Sequence, residues 1–271
     1  WPEYQKSLVN EEIEESFDIM KDVVSISSAA RMKGKLKRRW PLNEAQICVK
    51  TNQKAKLESL SELLKSQLNV EKFNIIETEK ENGLEQLLEL KKLGLPVKSK
   101  LELERKKIGP KAKQHMGKLV NTFSETNPEE IISALQKDGK YNFKINDEII
   151  SLDKEDFIVD FDASENFAVA NRDEFIVFIS TLRNKEMMAK GLVKDVARRL
   201  QTLRKERGYN PTDVLEVASI LELDDESLEM IKQRDEELAF LVRVKKINFE
   251  KSCKEYKDDD IDGQKIRISV E

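Results

Sequence analysis

MAKGLVKDVARRLQTLRKERGYNPTDVLEV, residues 188–217, carries the clearest structural signal in the chain. Ala189, Leu192, Val193, Val196, Leu200 and Leu203 recur at spacings of three and four, which puts them on one face of a helix. That spacing predicts a helix over 185–207. Gly208 suits the left-handed residue that ends a helix, and Pro211 bars its restart. Asp213–Ile220 then reads as a strand. The polar side of the helix is basic. Lys190, Lys194 and Arg198 follow one another at spacings of four, and Arg199, Arg204, Lys205 and Arg207 crowd the C-terminal end, where the helix dipole favours cations.

Downstream, residues 224–246 read as one long helix and Gln264–Val270 as a closing strand. Lys257–Asp260 reads as a loop. Upstream, Ile13, Phe17, Met20 and Val24, with Val23 and Ile26 beside them, predict a helix over 11–33 whose start is rich in acids. Gln46–Val49, a helix over 54–68 and Lys72–Glu77 make a strand–helix–strand unit. Residues 79–97 are ambiguous between helix and loop. Lys100–Glu104 alternates as a strand does, and Gly109-Pro110 is expected to open a helix over 111–123 with Pro110 at its first position. Asn127-Pro128 starts another helix that Gly139 stops. Tyr141–Ile145 and Glu148–Ser151 make a hairpin across Asn146-Asp147, and Phe157–Phe161, Phe167–Ala170 and Phe175–Ile179 follow as strands. Hairpins mixed with helices, without strict alternation, predict an α+β fold with small mixed sheets covered by helices. The expected segments are a terminal helix at 1–45, a small α/β unit at 46–97, an α+β unit at 98–160 and a C-terminal α+β domain at 161–271.

Composition narrows the chemistry. Of 271 residues, 39% are hydrophobic and 37% charged, and no apolar run is long enough for a membrane span. The opening Trp1-Pro2-Glu3-Tyr4 lacks the pattern of a secretory signal, and the absence of an initiating Met suggests a fragment. Two Cys and one His are too few for a structural zinc and leave little for nucleophile–base catalysis. His115 reads as a surface or packing residue. Asp160, Asp162 and Glu165 lack the glycine and terminal acid of a calcium loop. No catalytic, metal or cofactor site is expected in this chain.

The net charge is −4, yet the charges come in blocks. One basic cluster runs through Arg31, Lys33, Lys35, Lys37, Arg38 and Arg39 to Trp40. A second spans Lys98 to Lys118 and includes Lys106, Lys107, Lys111 and Lys113. The third is the 185–207 helix, with Lys194, Arg198, Arg199, Arg204, Lys205 and Arg207. Acids gather at 11–15, 153–165, 222–237 and 258–262. Two readings stand side by side. Cations can neutralise nucleic-acid phosphates, with Arg38, Arg39 and Trp40 adding flat groups for an unpaired base. They can also be solvated helix faces. Trp40 has a rival reading as core, because Pro41-Leu42 leads into a strand.

Residues 188–217 resemble the C-terminal region of isoleucyl-tRNA synthetases. In order along the chain, WPEY (1–4), SAARMKGKLKRRWPL (28–42), LNVEKFNII (68–76), KKIGPKAKQHMGKL (106–119) and DGQKIRISVE (262–271) are similar to the archaeal and eukaryotic branch of that family. Lys190 departs from it, standing where an acid is frequent. The class I nucleotide-binding signatures and an editing domain are absent from this stretch. The resemblance implies a parent enzyme that joins isoleucine to its tRNA with ATP and magnesium in the cytoplasm, while this piece holds the anticodon arm. It makes Arg38, Arg39, Trp40 and the basic end at 198–207 the foremost tRNA-contact candidates, beside Lys35, Lys37, Lys106, Lys107, Lys111, Lys113 and Lys194. The alternative from the residues is an RNA-binding or protein-interaction scaffold of another translation factor.

Overall fold

The structure, a computed structural model, describes residues 9–251 and 253–271. The Trp1–Tyr4 stretch lies outside them. The fold is α+β, with small sheets covered by helices, as the sequence predicts. Contacts sort the chain into two compact units. The first holds residues up to 35, 44–68 and 72–181; the second holds 36–43, 69–71 and 182–271. This division differs from the four expected segments, because strands far apart in sequence share sheets.

In the first unit, helix α1 (Glu11–Lys33) starts on Asn10, whose side chain accepts from the Ile13 N–H at 3.1 Å. Its buried face is Ile19, Met20, Val23, Ile26 and Ala30, rotated from the stripe expected from Ile13, Phe17, Met20 and Val24. Ile13 is 51% exposed, whereas Met20 is buried. Strand β1 (Leu42–Val49) runs into α2 (Thr51–Glu58), α3 (Ser61–Leu68) and β2 (Val70–Glu77). The helix expected over 54–68 is therefore two, broken at Ser59-Leu60. Helix α4 (Gly83–Lys92) resolves the ambiguous segment, burying Leu87 and Leu90. After β3 (Val97–Leu103), α5 (Arg105–Ala112) begins earlier than expected, because Ile108 and Ala112 both reach the core. Pro110 thus lies inside α5 and not at a helix start, and the helix ends two residues later.

A single turn leads to α6 (Met116–Glu125) and α7 (Pro128–Asp138), which is capped by Asn127 and stopped by Gly139 at φ 71°. The hairpin β4 (Lys140–Ile145) and β5 (Glu148–Asp153) turns at Asn146, φ 54°. Strands β6 (Phe157–Ala163), β7 (Phe167–Arg172) and β8 (Phe175–Ser180) follow. One sheet has the order β2-β1-β8-β7, with Ile47 opposite Val177, and β3 pairs with β6. This pairing ties residues 42–49 to 175–180 in one sheet. The core runs from Leu87 and Leu90 through Ile108, Leu119 and Ile131 to Phe143 and Phe178.

The second unit is built on α8 (Lys185–Glu206), capped by Asn184. Strand β9 (Leu215–Leu221) is followed by α9 (Asp225–Lys232), α10 (Asp235–Val242) and β10 (Val244–Asn248). The expected single helix over 224–246 is thus two helices and a strand. Arg243 turns left-handed at φ 57°, and β10 then pairs parallel with β9, burying Val244 and Ile247. An open strand edge takes hydrogen bonds that a continuing helix cannot supply. Lys257–Asp260, expected as a loop, forms most of β11 (Lys257–Ile261), which pairs with β12 (Gln264–Val270) across a turn at Asp262-Gly263. The sheet order is β10-β9-β12-β11. Three aspartates on an edge strand discourage pairing with another chain. Val193, Val196 and Leu200 of α8 meet Ala218, Ile220, Ile266 and Ile268 of the sheet in one core.

Candidate nucleic-acid interface

Helix α8 is buried on more than the face that meets the sheet. Gly191 and Asp195 lie one turn apart and receive the segment Leu36–Asn43 of the same unit. Trp40 is 8% exposed, and its indole Nε1 donates to Asp195 Oδ2 at 2.8 Å. Lys37 Nζ donates to the same oxygen at 2.8 Å and to Asp262 at 2.6 Å. Arg39 reaches Asp195 Oδ1 at 3.1 Å. A Cβ on residue 191 would stand 2.7 Å from Cγ and 2.8 Å from Cε2 of Trp40, so glycine is what lets the indole lie on the helix. Arg183 lies 5.0 Å and Lys37 5.2 Å from the ring centroid. Burial pushes the Asp195 carboxyl up, but hydrogen bonds from Lys37 and Trp40 and the nearby cations outweigh it and hold it below the usual carboxylate range. Burial likewise works against the Lys37 ammonium, and Asp195 and Asp262 raise its pKa overall.

Trp40 is therefore a core residue, not an exposed stacking platform. The sequence reading missed Asp195. Its signal was an acid set among Lys190, Lys194, Arg198 and Arg199, one turn after a glycine.

The same contacts sort the other candidates. Arg204 is buried and donates to the carbonyls of Val242 at 2.7 Å, Arg243 at 2.9 Å, Asp213 at 2.7 Å and Asn210 at 3.2 Å. It ties the end of α10 to the loop after α8 and is removed from any surface contact. Arg207 is bound to Val270 O at 2.6 Å and Glu255 O at 3.1 Å. Lys194 is half-buried with Asn69 at 3.4 Å, and Lys190 is paired with Glu71 at 2.9 Å. Arg199 donates to Asp260 O at 2.8 Å and lies 3.4 Å from Asp259. Lys35, Arg38, Arg39, Arg198 and Lys205 are exposed. A groove of about 600 Å³ brings Lys37, Arg38, Arg39, Arg198 and Arg199 together against Asp259, Asp260 and Asp262. Lys37, Arg38 and Arg39 of the first basic cluster thus meet Arg198 and Arg199 of the third within one unit.

The second cluster lies in the first unit. Lys98 and Lys100 stand across the β3–β6 pair from Asp162 and Asp160. Lys111 binds Asp153 at 2.9 Å and also Asp156, and Lys107 is 3.7 Å from Glu155. Arg105, Lys106 and Lys107 are exposed in the first turn of α5, where the helix dipole disfavours cations. Lys113 is exposed in the next turn. His115 is 3.3 Å from Glu148 and from Gln114.

Cys48 and Cys253 are both buried, and burial pushes the Cys48 thiol up to about 12. Among the described residues, no group of His, Cys, Asp or Glu is placed to hold a metal ion, and no helix is long and apolar enough to cross a membrane.

No family model matches the chain. Curated relatives do. An isoleucine–tRNA ligase of Bacteroides fragilis is 27% identical over 218 residues, 80% of this chain and 18% of the relative. One of Clostridium kluyveri is 25% identical over 276 residues, covering 100% of the chain and 24% of the relative. One of Pyrococcus abyssi is 26% identical over 255 residues, covering 93% and 22%. These matches make the chain similar to a region of aminoacyl-tRNA synthetases. The synthetase is isoleucine–tRNA ligase in each case, so the resemblance carried by residues 188–217 and the stretches around it is borne out. The chain spans about a fifth of the length of the relatives it matches, which is consistent with a C-terminal region.

Proposed function

We propose that the chain is the tRNA-holding C-terminal region of an isoleucine–tRNA ligase. In this reading the parent enzyme works in the cytoplasm and joins isoleucine to its tRNA with ATP and magnesium, in catalytic and editing domains outside this stretch. This region fixes the anticodon arm by phosphate contacts that set register and orientation. The observation that carries the reading is the meeting of Arg38 and Arg39 with Arg198 and Arg199 in one groove. They come from two separate stretches of the resemblance and converge only on folding. The acidic side of the groove repels phosphate, so contact belongs to the arginine lip. The exposed Lys106, Lys107 and Lys113 of the first unit form a second candidate surface.

Fluorescence anisotropy of the chain with labelled isoleucine tRNA at low salt tests the reading. Binding is expected, and Arg38→Ala with Arg198→Ala is expected to weaken it at unchanged thermal stability. Failure of the parent chain to bind tRNA at all would overturn the proposal.

A further inference from the structure

The second unit also carries a surface of the opposite charge. Residues 222–237 hold eight acids against two cations, Lys232 and Arg234. Such a block repels a phosphate backbone and an anionic membrane alike. Two adjoining hollows of about 340 Å³ and about 320 Å³ open beside it, along the N-terminal half of α8 and α9. Glu226 and Met230 line both. The floor is apolar: Ala189 and Leu192 of α8, Ile261 at the end of β11, and the half-buried Met188 and Met230. Met188 and Leu192 stand one turn apart on α8, as Glu226 and Met230 do on α9. Flexible thioethers re-pack around a guest more readily than branched side chains do. At the rim, Glu186 is already paired with Lys190 and Arg234, and Asp262 with Lys37. Glu226 and Glu229 are exposed, and Glu229 accepts from Gln233 at 2.8 Å.

We infer that this groove receives a basic amphipathic helix of a partner protein, with apolar side chains in the two hollows and Lys or Arg on Glu226 and Glu229. Apolar hollows alone would accept many guests, and exposed acids alone are an ordinary solvated helix face. Together they call for a segment with apolar and cationic groups on one side, which a helix supplies with residues three and four apart. Charge complementarity sets the sign of the partner. Only Asp262 lines both this groove and the arginine groove. The inference goes beyond tRNA binding and does not depend on it.

The test uses the full chain and, as probe, a labelled amphipathic helical peptide of Leu and Lys, with a scrambled peptide of the same composition as control. Fluorescence anisotropy is expected to show binding of the helical peptide, with the scrambled one about tenfold weaker. Glu226→Gln with Glu229→Gln is expected to weaken binding about tenfold and to flatten its salt dependence. Asp235→Asn with Glu236→Gln, in the same acidic block but outside the hollows, should leave it unchanged. Met230→Gln is expected to weaken binding with the salt dependence kept, and Met230→Leu to restore it, because the hollow needs apolar volume. A thermal melt accompanies each variant, and the exposed Glu226 and Glu229 keep the test valid if Met230→Gln unfolds early. If the Asp235 and Glu236 pair weakens binding as much as the Glu226 and Glu229 pair, the peptide reads diffuse charge and the inference is overturned. Failure of the helical peptide to bind overturns it too, as does self-association of the chain that Glu226→Gln with Glu229→Gln abolishes, since a second copy then covers the groove. Isoleucine tRNA should bind this pair as it binds the parent; loss of tRNA binding would place the groove on the RNA side and sink the inference. A parent chain that takes the peptide but no tRNA would overturn the proposed function and leave this inference standing.

Discussion

Trp40 shows how one side chain decides between two functions. Exposed, it would serve a nucleobase; buried on Gly191 and bonded to Asp195, it locks the 36–43 segment onto α8. Gly191→Ala is expected to destabilise the chain by about 1–3 kcal/mol, because the added methyl meets an indole held on both sides. Urea unfolding followed by tryptophan fluorescence reads this, and an unchanged midpoint would refute the packing. Asp195 adds a pH signature. Its pKa is lowered on folding, so its contribution is present above the unfolded value of about 3.9 and is lost as pH falls through the folded value. The parent should therefore lose stability below about pH 4, and Asp195→Asn should be weaker at neutral pH with a flatter acid limb. Lys37 acts in the opposite sense. Its raised pKa means its contribution is lost in alkali, as pH rises through its folded value.

Helix ends carry the next layer of the design. Arg204, near the end of α8, donates to the carbonyls of Val242 and Arg243, where α10 stops and β10 begins. Those carbonyls belong to a helix C-terminus, which has no partners of its own. Arg204→Ala is expected to cost on the order of 3 kcal/mol, since several hydrogen bonds to a charged group are lost at a buried site. Arg204→Lys should not restore it, because one ammonium cannot spread over four carbonyls. Denaturant melts that place either variant within about 0.5 kcal/mol of the parent, the range of ordinary surface substitutions, would remove Arg204 from this role. The basic first turn of α5 is the opposite case. Arg105, Lys106 and Lys107 sit where acids are favoured. On the proposed function, this broken local rule is the cost of presenting cations to RNA.

Charge across the molecule is rearranged by folding. Acids and bases that form separate blocks along the chain become partners: Lys111 with Asp153, Lys37 with Asp262, Arg199 with Asp259, and Lys257 with Glu206. Only part of each basic cluster stays turned to solvent. On the proposed function, fewer cations are then available for phosphate than the sequence count implies, and the salt dependence of tRNA binding should be correspondingly shallow. Arg198→Ala should reduce the slope of log K against log salt by about one unit, whereas Arg207→Ala should leave it unchanged, because Arg207 is engaged with Val270 and Glu255. Equal effects from both would contradict the assignment. On the proposed function the purified chain should also form no isoleucyl-adenylate in pyrophosphate exchange, because the class I nucleotide-binding signatures are absent from its sequence; measurable exchange would refute the reading of the region as non-catalytic.

Periodicity and punctuation were enough to find α1, α7, α8 and the β4–β5 hairpin, because the acids at the start of α1 and Asn127, Gly139 and Gly208 mark their ends locally. Local chemistry also placed the basic clusters and the family resemblance, both of which lie in residue order. Partners distant in the chain decided the rest. The helix expected over 224–246 gave way to β10 because β9 offers an edge only once the sheet exists. The loop expected at Lys257–Asp260 became β11 because β12 returns beside it. Trp40 and Arg204 left the surface, and Arg207 became half-buried, because Asp195 and a set of carbonyls came to meet them. Side-chain periodicity reports which face of an element is apolar, and capping reports where it can stop. Neither reports which charges will be neutralised, because that depends on contacts between groups as many as 158 and 225 residues apart, as at Lys37.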